Sequence, residues 1–249
     1  AAGGLISTTG VGGGDPTPIA ATIADHIASQ NLVAGILAAL FARERTGCGQ
    51  HVETSLVGGQ IWAQASEFTA HLLSGQTLGR ANRGHPMIPG LYGIFPTADG
   101  WIAIVGVAGA AKAKFFDIIG RPELSERFPQ LYYWAAEKAE LFPIIDEALA
   151  ARTTAEWCQV LSAAGLRYAP VRNHAEVAAD PAVWDNGYLT KVYHESGEVA
   201  VVAPPVRFSA TPASSDAIAP ELGQHTEEVL LEVGYTWDGI AELRSAGAV

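Results

Sequence analysis

The sequence predicts an α/β protein that combines a large-domain portion with a small α+β domain. Apolar residues recur at helical spacing from Ile23 onward, behind a loop rich in Gly and Pro. A strand–turn–strand pattern covers residues 91–107, and helical patterns follow it. Stretches rich in Gly, Pro and Ser, residues 74–90 and 204–220, bound these patterns. The chain is therefore expected to leave its first region and return to it.

Those two stretches set the expected domain boundaries. Residues 1–75 are predicted to form the large-domain portion, residues 76–202 the small α+β domain with its linkers, and residues 203–249 a segment that returns to the large domain. A chain of 249 residues that is 49% hydrophobic and 16% charged can bury a sizeable core.

The first region is predicted to consist of one long helix, then a strand, then a second helix. Arg43, Arg45 and Gly47 mark the end of the first helix, because cations suit its negative end and Gly accepts the left-handed backbone there. Residues 50–56 alternate between apolar and polar types, which predicts a strand, and residues 58–73 return to helical period.

The small domain is predicted to open with a hairpin around the Asp99-Gly100 turn. The spacing Thr153-Thr154-Ala155-Glu156 is that of a capping box, which predicts a helix start. The other predicted elements are helices over 110–119, 134–151 and 175–179, strands over 188–194 and 199–202, and short helices from Thr226 and around 238–244.

Charge and cysteine content exclude several function classes. The formal net charge of -11 argues against nucleic-acid binding, which needs clustered Lys and Arg. Cys48 and Cys158 stand far apart and no Cys/His spacing suits a metal, so we expect no metal site and a reducing, cytoplasmic location. The charge-free stretch from Ile27 to Ala42 falls short of about 20 apolar residues, so no membrane association is expected. Because Ala1 is not a start Met, the chain is expected to be part of a longer polypeptide.

Asp25 is the candidate for chemistry. A carboxylate at the start of a helix dominated by small and apolar residues lies near the positive end of the helix dipole, facing a poorly hydrated cleft, and can act as a nucleophile. The alternative is an ordinary helix cap, a frequent role of Asp. The spacing alone leaves both interpretations open.

The residues around Asp25 form a long pattern. Ala24-Asp25-His26 opens it, Gly35 to Leu40 follows, and Arg43 to Val52 closes it. This pattern resembles the signature of the family III CoA-transferases, the CaiB/BaiF group. The resemblance implies a Rossmann-like large domain, interlocked homodimers, and coenzyme A as acyl-CoA substrate. It also implies that Asp25 is the nucleophile, which passes through an aspartyl-CoA thioester before a carboxylic acid accepts the CoA.

The same resemblance points to Gly90, Tyr92 and Gly93 as substrate-binding residues. Formyl-CoA transferases cover the intermediate with consecutive glycines, whereas residues 84–93 here lack that run. The two glycines therefore become candidates for a lid or substrate wall, and the alternative is that they are turn glycines leading into a strand.

Two other functions remain open at this point. The α-methylacyl-CoA racemases share the fold and place an aspartate at the same helix start, but pair it with an upstream histidine that would lie outside this sequence. The second alternative is an inactive fragment that needs an upstream N-terminal fragment to complete its CoA site.

Overall fold

The chain adopts a mixed α/β fold in a computed structural model that describes residues 2–249 apart from 78, 81–82, 86, 89, 132, 134, 195–196 and 214–218. Its contacts divide it into two compact units, Ala1–Val171 and Arg172–Val249. The predicted three-part division at residues 75 and 202, and the Rossmann-like character of the first part, stay predictions.

The first unit begins with a short 3-10 helix and three α-helices. Their bounds are Leu5–Ser7 for the 3-10 helix, Ile23–Thr46 for α1, Leu56–Ala63 for α2 and Ala65–Ser74 for α3. The predicted end of α1 is confirmed: Gly47 has a φ of 73°, and its N–H donates to the carbonyl of Arg43 at 2.8 Å.

Helix α1 is long and apolar enough to cross a membrane by length and composition alone, a test that core helices of soluble proteins also pass. This corrects the expectation that no stretch reaches that length. The reason is that the helix extends beyond the charge-free residues on both sides.

The strand predicted over residues 50–56 is wrong. Residues 50–55 precede α2 and Leu56 is its first residue, and the side chain of Ser55 caps that helix by accepting the N–H of Gly58 at 3.0 Å. The single helix predicted over residues 58–73 is two helices, because Gln64 leaves helical geometry with φ −116° and ψ 27°.

A three-stranded antiparallel sheet packed against helices completes the first unit. Its strands, in sheet order, are β1 (Leu91–Pro96), β2 (Trp101–Val107) and β3 (Tyr168–Pro170), and its helices are α4 (Ala110–Ile118), α5 (Leu124–Arg127), α6 (Ala135–Leu149) and α7 (Thr154–Ala163). The hairpin predicted around Asp99-Gly100 is confirmed, with Pro96 paired to Trp101 at its closed end. The predicted helix start at Trp134 lies outside the described residues.

The core of the first unit lies between this sheet and its helices. Phe95 of β1, Phe115 of α4 and Trp157 of α7 are almost completely buried in it. The Trp157 indole N–H donates to the carbonyl of Leu149 at 2.7 Å, which joins α7 to the end of α6. The capping box predicted at Thr153 is present.

The second unit is smaller. Its elements are α8 (His174–Ala178), α9 (Pro181–Asp185), β4 (Leu189–His194), β5 (Gly197–Val202), α10 (Thr226–Glu232) and α11 (Trp237–Ser245). Both predicted strands are present, and the structure pairs β4 and β5 antiparallel with Leu189 opposite Val202. The predicted extended segment after β5 includes residues 214–218, which lie outside the described residues.

Candidate functional site

Asp25 lies in the first turn of α1, behind the cap residue Thr22. The positive end of the helix dipole therefore lies next to its carboxylate. The side chain is exposed in this chain, which differs from the expected poorly hydrated position. Within the described residues, the carboxylate accepts no hydrogen bond, so it is available to a ligand.

A cavity of about 260 Å³ opens beside Asp25. The loop before α1, the 3-10 helix, the first turn of α1 and one residue of α2 line it: Leu5, Ile6, Pro18, Ile19, Ala21, Thr22, Ile23, Ala24, Asp25 and Gln60. Asp25 is the one ionisable side chain among these lining residues. The cavity therefore sets one carboxylate against walls that are otherwise neutral and mainly apolar.

The packing of α2 on α1 brings Gln60 to this cavity. A Cβ atom added to Gly59 would lie 3.0 Å from the backbone N of Ala28 and 3.3 Å from the carbonyl O of Ala24. Only a residue without a side chain allows this approach of the two helices. The next residue of α2, Gln60, thereby reaches the wall that contains Asp25.

Hydrogen bonds with Gln60 of α2 and with Gln64, the residue after α2, hold Gly3 in place. The N–H of Gly3 donates to Gln60 Oε1 at 3.0 Å. The buried Gln64 side chain donates from Nε2 to the carbonyls of Gly3 and Gln60, each at 2.8 Å. Sequence reasoning missed both glutamines, since only their i, i+4 spacing in one helical pattern hinted at a shared face.

The predicted substrate residues Gly90 and Tyr92 lie at a different place. They line a small cavity of about 10 Å³ together with His85, whose ring meets that of Tyr92 edge-on at 6.2 Å. The N–H of Gly90 donates to the carbonyl of Leu131 at 2.6 Å. Asp25 is not among the residues that line this cavity. The substrate role of Gly90 and Tyr92 therefore stays a prediction.

Gly93, the third predicted substrate residue, is buried in β1 opposite Ile104. A Cβ atom at this position would lie 2.7 Å from Cζ of Phe95. Close packing thus gives a structural reason for this glycine, and its substrate role also stays a prediction.

His85 lines the same small cavity as Gly90 and Tyr92, and both of its ring nitrogens have partners. Nδ1 accepts the N–H of Met87 at 3.2 Å, so Nε2 carries the proton that it shares with Glu67 Oε1 at 3.2 Å. In the part of the chain that the structure describes, no three His, Cys, Asp or Glu side chains gather as a metal-ligand group.

Comparison with known proteins gives consistent results along the sequence. A family model described as CoA-transferase family III matches residues 1–226. The chain is 31% identical over its whole length to the human succinyl-CoA:glutarate CoA-transferase, of which it covers 58%. It is 29% identical, again over its whole length, to the (R)-2-hydroxy-4-methylpentanoate CoA-transferase of Clostridioides difficile, of which it covers 63%.

Comparison of the fold with solved structures also finds members of this family. A crystal structure of a CaiB/BaiF family protein from Brucella suis superposes with a TM-score of 0.79 at 26% identity, over 93% of this chain and 60% of that one. The chain thus spans about three fifths of the length of these relatives.

Proposed function

We propose, from the premise that this chain belongs to CoA-transferase family III, that it transfers coenzyme A from an acyl-CoA donor to a carboxylic acid acceptor through Asp25. The observation that carries the proposal is the position of Asp25, the one ionisable side chain of a cavity at the start of α1. Relatives named as CoA-transferases favour this activity over the racemase alternative.

The proposed reaction starts with attack of the Asp25 carboxylate on the donor thioester. The carbon–sulfur bond breaks, which gives a mixed anhydride on Asp25 and free CoA thiolate. The thiolate then attacks the aspartyl carbonyl, so the donor acid leaves as a carboxylate and an aspartyl-CoA thioester remains. Attack by the acceptor carboxylate repeats these two steps in reverse order, and Asp25 ends as a free carboxylate.

The surroundings of Asp25 suit this chemistry. The positive end of α1 favours the carboxylate and the oxyanions that form beside it. The mainly apolar walls limit the number of waters that compete for an anhydride or thioester once a substrate fills the cavity. A carboxylate without a hydrogen-bond partner among the described residues keeps its lone pairs available for attack.

Succinyl-CoA is the donor that we propose to test first. The human relative and a relative from Chloroflexus aurantiacus, 30% identical, are named for reactions of succinyl-CoA with glutarate and with D-citramalate. Dicarboxylic acids are accordingly the first acceptors to test.

We extend the proposal to a homodimer, as the family resemblance implies. Helices α1 and α2 expose the apolar side chains of Leu37, Phe41 and Trp62. An exposed apolar surface of this kind is typically buried by another chain or segment. Either a second copy of this chain or the additional length that the relatives have would bury this surface. Native mass spectrometry of the purified protein reports the mass of every associated chain and so distinguishes these two alternatives.

The test of the Asp25 chemistry is a search for the covalent intermediate. The natively purified protein, with any chain that accompanies it, is incubated with succinyl-CoA, and its mass is measured under denaturing conditions. We expect an increase by one CoA less one water, mapped to Asp25 and removed by hydroxylamine. Asp25→Asn is expected to lose both adduct and turnover, whereas Asp15→Asn, an exposed acid of the preceding loop, keeps them. Normal turnover in Asp25→Asn would refute the mechanism.

A further inference from the structure

We propose that Gln60 is a second catalytic residue of the Asp25 cavity. Its side-chain amide donates a hydrogen bond to the substrate carbonyl oxygen that becomes negative when the thioester is attacked. The inference rests on the proposed function of Asp25, because it assigns a role within the same reaction.

The orientation of the Gln60 amide is set by a backbone group. The N–H of Gly3 is a donor, so the atom that it meets at 3.0 Å must be the carbonyl oxygen Oε1 of Gln60. The NH₂ end of the same amide therefore lies on the other side. Among the described residues this NH₂ group has no acceptor, and Gln60 lines the cavity that contains Asp25. A residue with an unused donor thus lines the cavity where negative charge would develop.

Gln64 holds this arrangement rigid. Its buried amide joins the backbone carbonyl of Gln60 to that of Gly3, each at 2.8 Å. The donor and the group that orients it are therefore fixed to each other as well as to α2. A donor that is already in place stabilises an oxyanion without the reorganisation that water would need.

The contact of α2 with α1 places this donor on the Asp25 side. A Cβ atom at Gly59 would lie within 3.3 Å of backbone atoms of Ala24 and Ala28, so α2 packs closely on the part of α1 that carries Asp25. During attack the electron pair of the carbonyl moves onto its oxygen, and the Gln60 N–H binds that oxygen without giving up its proton. The same N–H can stabilise the oxyanion of each tetrahedral intermediate that forms at a substrate carbonyl.

Two variants separate this role from that of a structural anchor. Gln60→Met removes donor and acceptor, whereas Gln60→Glu keeps an oxygen for the Gly3 N–H and replaces the NH₂ by a second oxygen. Gln30→Met, at an exposed position of α1, is the matched control. Transfer kinetics with succinyl-CoA are measured for each variant, together with its melting temperature.

The expected result is a fall in kcat of about 100- to 1,000-fold for Gln60→Met, the loss typical of one missing oxyanion donor. The KM for the donor should change by no more than about twofold, since the interaction forms in the transition state. Gln60→Glu should melt like the wild type and be slow at neutral pH. Its kcat relative to that of Gln60→Met should rise as the pH falls, because a protonated carboxyl group again offers a donor.

Three results would overturn the inference. Gln60→Met with a kcat within about threefold of wild type shows that no donor was lost. Wild-type turnover of Gln60→Glu at neutral pH shows that Gln60 serves only as the acceptor for Gly3. A wild-type protein that forms no CoA ester on Asp25 refutes the proposed function, and the role of Gln60 with it, whereas the first two results leave that function intact.

Discussion

Replacing Gly93 with alanine is predicted to destabilise the sheet of the first unit. The added Cβ atom would lie 2.7 Å from Cζ and 2.9 Å from Cε2 of Phe95, and 3.1 Å from Cε2 of Phe142. The two rings meet edge to face with centroids 4.9 Å apart, and Phe95 has no exposed surface. Both rings are buried in the core, Phe95 at 0% and Phe142 at 3% exposure, so the methyl group would press against side chains that are already packed.

The magnitude follows from these distances. Carbon atoms attract best at about 3.5–4.0 Å, so all three contacts lie inside the repulsive range. Overpacking of a filled core costs about 1–3 kcal/mol. Alanine recovers about 0.4–1 kcal/mol by restricting the unfolded chain, where glycine has more freedom. We expect the free energy of unfolding to fall by about 1–2 kcal/mol.

Urea unfolding followed by far-ultraviolet circular dichroism measures this change. The matched control is Gly49→Ala, because a Cβ atom at Gly49 meets no other atom within 4 Å. Its free energy of unfolding should stay within about 0.5 kcal/mol of wild type.

A second variant tests whether the Phe95 ring is the cause. Phe95→Leu shortens the side chain that the new methyl group meets, so the double variant with Gly93→Ala should lose less stability than the two single losses added together. Wild-type stability of Gly93→Ala with lost CoA transfer would refute the packing argument and favour a substrate wall at this residue.

Three further predictions concern α7 and the contacts that it makes. Trp157→Phe should lower the free energy of unfolding by about 1–3 kcal/mol in the same titration, because the buried carbonyl of Leu149 loses its indole donor. Thr153→Ala should cost about 1 kcal/mol by breaking the capping box, and Thr153→Ser should restore most of it. Hydrogen bonds from backbone amides and hydroxyls at the start of α7 lower the pKa of Asp99 and of Glu156. Their contribution to stability is therefore present above the usual carboxyl pKa and is lost as the pH falls through the lowered values. Melting temperatures measured across this acidic range should fall less steeply in Asp99→Asn than in wild type, and equal slopes would contradict the assignment.

Local chemical signals account for the elements that the sequence predicted correctly. The end of α1 depends on a left-handed residue, which Gly47 supplies. The start of α7 depends on the reciprocal bonds of Thr153 and Glu156. The hairpin depends on four turn residues that include Asp99. Each of these signals acts within a few residues, so a pattern along the chain is enough to find it.

The failures concern features that packing decides. Residues 50–56 alternate as a strand does, yet they have no neighbouring strand to pair with in the described fold, and Ser55 instead caps α2. At the break between α2 and α3, the side chain of Gln64 is buried and donates to the carbonyls of Gly3 and Gln60. Glutamine is a good helix former, so its type alone predicts continuation of the helix. A partner 61 residues away cannot be inferred from local spacing.

In the candidate site, too, one residue could be predicted from local sequence and the other could not. Asp25 was reached from the sequence because its place at a helix start is a local feature, which the family resemblance then singled out. Gln60 carries no such signal, since its relation to Asp25 arises from the contact of Gly59 with α1 and from the bond to Gly3. A nucleophile can be recognised from the residues next to it along the chain. The group that donates a hydrogen bond to the carbonyl oxygen comes here from another helix, so neighbouring residues do not reveal it. The sequence is therefore expected to reveal the attacking group of such a site before it reveals the group that stabilises the charge.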